Sequence, residues 1–143
     1  MSDYSNVNPS AAQQDLLSRV TALLGEIGDV AESDSESVVV QVSSTRASVR
    51  VVALADDLHV VSVTQLLALN LPNTDALRSD VEELDATLSF GSLRRSDLTG
   101  ITTDVLQYYT FAVDGLADIP MLTVLHIVLS AGGDIARKLV DAT

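Results

Sequence analysis

Cysteine is absent from this 143-residue chain. That excludes disulfides, thiolate nucleophiles and cysteine-ligated metal sites, and makes the chain indifferent to the redox state of its compartment. Tryptophan is also absent, and five aromatic side chains remain: Tyr4, Phe90, Tyr108, Tyr109 and Phe111. A core must therefore come from Val, Leu, Ile and Ala, which carry no polar handle for a ligand. Basic residues are few, eight against twenty acidic ones, for a formal charge of −12. A surface of that sign repels phosphate backbones and anionic headgroups, so neither nucleic acid nor a membrane is expected as a partner. No apolar run approaches the ~20 residues that span a bilayer. The most continuous, Ile119 to Leu129, is broken by Pro120, Thr123 and His126. The first ten residues lack the basic and apolar regions of a signal peptide, and a cytoplasmic location is expected.

What is present is an apolar fraction of 47% and a mean hydropathy of +0.30, far from the composition of disordered chains. The length suits one domain. Residues 1–9 are polar and without period and read as a disordered tail, leaving 10–143 as a single α+β domain. Ser10 followed by Gln13 suggests a capping box, and Leu16, Leu17, Val20, Leu23, Leu24 and Ile27 share a helical face, so a helix is expected from Ser10 to Gly25 or Gly28. Glu32 to Glu36 reads as a charged loop. Three strands follow, Val38–Val42, Ser48–Leu54 and Leu58–Thr64, joined by short polar turns as a meander. A helix is expected over Asn73–Asp85, a weak strand over Thr87–Leu93, a turn over Arg94–Gly100 and a central strand over Thr103–Val113. A last helix spans Ile119–Val140. The glycines Gly132 and Gly133 inside it imply a kink or a close backbone approach. The order α-β-β-β-α-β-β-α gives a single antiparallel sheet with helices packed on one face.

Chemistry-bearing motifs are scarce. His59 and His126 have no local Ser, Cys or Asp motif that would form a triad, and read as structural or surface histidines. Glu32, Asp34 and Glu36 have the spacing of the first calcium-loop ligands, but Ser37 stands where such a loop needs Gly and Ser43 where it needs Glu. Asp56-Asp57 and Glu82-Glu83 read as a hairpin end and the wet side of a helix. Gly25 and Gly28 end a helix instead of opening one, so no phosphate loop is present. Arg94-Arg95 is too small a basic patch for nucleic acid. No catalytic, cofactor or metal residues are therefore assigned. One feature stands above this background: Leu122, Val124, Leu125, Ile127 and Val128 cover more of the last helix than one buried face needs, which makes them a possible homodimer interface.

The element order, length and acidity resemble the type III secretion chaperone fold, which the bacterial YbjN-like proteins share, over about Ser10 to Val140. Tyr108-Tyr109-Thr110-Phe111, Leu116 and the apolar helix ending Asp134-Ile135-Ala136-Arg137-Lys138 resemble the C-terminal part of the YjfI-type family. The first resemblance implies a homodimer that holds a segment of another protein along apolar grooves, without chemistry. The expected function is a non-enzymatic bacterial protein-interaction domain, chaperone-like or regulatory. The alternative is a small-molecule-binding or enzymatic α+β domain with a pocket near His59, Tyr108 and Tyr109.

Overall fold

The structure, a computed structural model, describes residues 10–142, so the expected tail lies outside the described residues. Three helices and six strands run in the order α1 (Ala11–Leu24), β1 (Asp29–Ser33), β2 (Ser37–Val42), β3 (Thr45–Ala55), β4 (Leu58–Pro72), α2 (Asp75–Ala86), β5 (Ser92–Arg95), β6 (Thr102–Ala112) and α3 (Asp118–Ala142). The strands form one antiparallel sheet, ordered β1-β2-β3-β4-β6-β5, with the helices on one face. The expected architecture stands, with one strand more than expected. The charged loop Glu32–Glu36 is the turn of a hairpin whose first strand is β1. Asp34 closes that turn by accepting the amide hydrogens of Glu36 and Ser37, each at 2.8 Å. The weak fourth strand forms later than expected, at Ser92–Arg95, and the third continues past Thr64 to Pro72 through two register shifts.

Alternation sorts the sheet into two faces. Val38, Val40, Val42, Ala47, Val49, Val51, Val61 and Val63 point inward onto Leu17, Val20, Leu23 and Leu24 of α1 and Met121, Leu125, Val128 and Leu129 of α3. A second cluster joins Leu67, Ala68, Leu71, Leu93 and Val105 to Leu77 and Val81 of α2 and Ile135, Ala136 and Leu139 of α3. Fully burying a side chain of this kind stabilises the fold by about 1.5–3 kcal/mol relative to leaving it exposed. Among the described residues α3 is the one helix that contributes to both clusters, and Arg19 fastens α1 to its start through Asp118 Oδ1 (2.7 Å) and the Leu116 carbonyl (2.9 Å). By length and composition α3 is apolar enough to cross a bilayer, yet one side of it packs along the sheet.

Between the clusters lie two fully buried glutamines, Gln65 and Gln107, directly opposed on β4 and β6. Gln65 Nε2 donates to Thr45 Oγ1 (2.9 Å) and to the Leu129 carbonyl of α3 (3.1 Å). Gln107 Nε2 donates to Gln65 Oε1 (2.8 Å) and to the Val128 carbonyl (3.0 Å). The close approach expected at the two glycines is made here, by side chains instead of backbone, and α3 runs unbroken past it. A Cβ on Gly132 would lie 2.0 Å from Gln65 Oε1 and 2.7 Å from Gln107 Nε2, whereas one on Gly133 would meet only Ser43 Oγ at 3.9 Å.

These neighbours separate two adjacent glycines by experiment. Gly132→Ala is expected to destabilise the domain by about 1–3 kcal/mol through overpacking. Gly133→Ala is expected to stabilise it by about 0.5–1 kcal/mol through helix propensity. Thermal melts of the two variants check the pair, and a Gly132→Ala protein as stable as wild type would contradict the packing described.

Candidate functional site

Among the described residues no helix packs on the outward side chains of the sheet. Register places them in rows across the strands: Glu32, Val39, Ser48, Thr64, Tyr108 and Ser92 form one, and Gln41, Arg46, Leu66, Leu106 and Arg94 the next. Val39, Leu66 and Leu106 are half-buried and Tyr108 is exposed. The Arg94 guanidinium lies over the Tyr108 ring, 5.5 Å from its centroid, a cation–π arrangement that holds the arginine against the sheet. A shallow hollow of about 320 Å³ opens beside Val39, Ser48, Thr64, Leu66 and Leu106, and Glu32 and Arg46 line it too. Sequence reading missed this face. It assigned Arg94-Arg95 to a turn, whereas both belong to β5, and Leu66 to no element.

The three residues expected around a pocket are not brought together. Tyr108 lies on the open face, while Tyr109 points inward opposite Val63, stacks on Phe111 at 5.7 Å and packs against the core. His59 is buried at the start of β4, and its Nδ1 lies 2.8 Å from Asp114 Oδ1. The other Asp114 oxygen accepts the His59 backbone N–H, and Val113 N–H donates to the His59 carbonyl at 3.1 Å. This arrangement clamps the start of β4 to the end of β6. The backbone amide of His59, and then its ring, hold the Asp114 carboxyl below the usual carboxylate range.

The five residues expected at a dimer interface divide. Leu125 and Val128 lie in the core of one chain, and Leu122 and Val124 are half-buried against it. Ile127 is exposed, as is Ile119 near the helix start. Ile127, Leu122, Thr123 and His126 line a second hollow of about 320 Å³ with Glu26 and Ile27. A third of similar volume lies between α2 and α3 among Asp80, Glu83, Leu84, Thr87, Lys138 and Leu139. Among the described residues no group of three or more His, Asp and Glu side chains is placed to hold a metal ion.

No protein-family model matches the sequence, and no curated protein does. Among solved structures the chain is similar to YbjN from E. coli, described as a candidate transcription regulator, with a TM-score of 0.63 at 9% identity over 95% of each chain. The fold is therefore YbjN-like.

The Asp114 clamp predicts an acid limb. A carboxyl whose pKa is depressed by folding stabilises the fold above the ordinary Asp value of about 4, and that contribution is lost as the pH falls through the depressed value. Asp34 and Asp97 are depressed too, chiefly by the backbone amides of Glu36 and Thr99, and add to the acid limb in the same direction. Asp114→Asn is expected to lower the melting temperature at pH 7 and to make its decline below about pH 4 shallower than in wild type. Parallel acid limbs in the two proteins would contradict the clamp.

Proposed function

We propose that this chain is a non-enzymatic protein-interaction domain, chaperone-like or regulatory, that engages a protein partner with the open face of its sheet. One observation carries the reading: every helix packs on the same side, so Val39, Leu66, Leu106 and Tyr108 are left without cover on the other. Sheets with one solvated face normally turn polar residues outward, and an apolar stripe there marks a contact surface. The YbjN-like fold supports a regulatory or binding role by analogy, since fold alone fixes no function. With a net charge of −12, a regulator built on this chain acts through protein contacts and not by gripping DNA. The resemblance to type III secretion chaperones supplies the chaperone-like half of the reading.

A homodimer through α3 belongs to the same proposal. It would rest on Ile119, Ile127 and the half-buried Leu122 and Val124, because Leu125 and Val128 are taken up within one chain.

The test uses three baits in the source cell: wild type, Leu66→Lys with Leu106→Lys, and Ile127→Lys. A specific partner is expected to be retained by wild type and by Ile127→Lys and lost from the double variant. Retention by the double variant would contradict the assignment of the face. A metabolite that raises the melting temperature saturably by several degrees would favour the small-molecule alternative instead.

A further inference from the structure

The seven arginines of this acidic chain are not used alike. Arg19, Arg50, Arg78 and Arg137 are ion-paired to Asp118, Glu36, Asp75 and Asp134, and Arg95 donates to Asn73 Oδ1 at 2.7 Å. Arg46 and Arg94 have no carboxylate partner among the described residues, although acidic side chains outnumber basic ones twenty to eight. Both stand on one row of the open face, with Leu66 and Leu106 between them. Three interstrand steps of about 4.8 Å set their Cα atoms about 14 Å apart.

We propose that the row Arg46, Leu66, Leu106 and Arg94 docks an acidic, extended segment of the partner protein, with carboxylates at positions i and i+4 and an apolar side chain at i+2. The proposal rests on the open-face reading above and adds the chemistry of the ligand. In an extended chain alternate side chains point the same way and rise about 3.3 Å per residue, so positions i and i+4 lie about 13 Å apart, the span of the two arginines. The side chain at i+2 then falls on the two leucines. Each guanidinium can donate two parallel, charge-assisted hydrogen bonds to a carboxylate, and Arg94 is already held on Tyr108. The remaining charges near the row are mixed in sign. Arg50 is neutralised by Glu36, and Asp104 is engaged by the Asn70 amide at 2.9 Å. Glu32 lines the hollow on the Val39 side, one row away from Arg46. The net charge of the molecule does not prevent docking, because screening over about 8 Å at physiological salt leaves the two local arginines to decide the contact.

The probe is a fluorescein-labelled peptide of sequence Gly-Ser-Glu-Ser-Leu-Ser-Glu-Ser-Gly, titrated against the whole chain with amide shifts followed by NMR. Saturable shifts centred on Arg46, Leu66, Leu106 and Arg94 are expected. Arg46→Glu with Arg94→Glu, both on exposed positions, should weaken binding at least tenfold while leaving the melting temperature within a few degrees of wild type. A peptide with Lys in place of both Glu residues should bind at least tenfold more weakly. Shifts centred elsewhere, or equal binding by the Lys peptide or by the arginine variant, would overturn the proposal. If sedimentation shows that the arginine variant converts a wild-type dimer to monomer, the row is covered by a second copy and the proposal falls. No peptide binding, together with loss of the cellular partner from the leucine variant, leaves the face as the contact surface and refutes only its acidic ligand.

Discussion

A primary amide moved from water into an aliphatic interior costs several kcal/mol unless hydrogen bonds replace those it gives up. This fold buries two, Gln65 and Gln107, side by side at the centre of the sheet. Their hydrogen bonds run to each other, to Thr45, and to the Val128 and Leu129 carbonyls of α3. Those carbonyls are reachable because Gly132 has no side chain where the amides lie. The lateral position of α3 on the sheet is thereby fixed, and with it the division of the core into one cluster under α1 and another under α2. Gln107 Oε1 has no hydrogen-bond partner among the described residues and lies close to Gly91, whose positive φ of 91° suits a residue without Cβ. Apolar contacts between helix and sheet are non-directional, whereas the amide pair singles out two carbonyls of α3.

With all three helices committed to one side, the other side of the sheet is left to the row of Arg46, Leu66, Leu106 and Arg94 and its neighbours. The two sides are coupled by the pleat: Gln65 and Gln107 point inward, and the next residue on each strand in one direction, Leu66 and Leu106, points outward. A register slip of one residue would bury the leucines, expose the amides and destroy both features together. The buried network therefore also fixes the geometry of the face proposed to bind a partner.

Much of the frame was legible in the sequence. Ser10 caps α1 by accepting the Gln13 amide at 3.1 Å, although the Gln13 side chain turns away to the Val51 carbonyl and leaves the capping box half made. The start of α3 came within a residue or two of its observed place. β1 escaped notice because all five of its residues are exposed, so it has no alternation to detect. The second half of β4 was hidden by its leucines and by Asn70, which takes a positive φ of 54° beside a register shift. The candidate face was invisible for a deeper reason. Its residues lie tens of positions apart and only strand register assembles them, and nothing in a single Gln or Arg states whether it will be buried or paired.

The claim that the amide pair locks the helix to the sheet is tested most directly by a double-mutant cycle on Gln65→Leu and Gln107→Leu, read by urea denaturation. Each single change strands part of the other amide, so the account predicts that the double variant is destabilised by less than the sum of the singles, with a coupling of about 1 kcal/mol or more. Additive losses would mean that the two glutamines act independently, each through its own bond to α3, and would contradict a lock made by the pair.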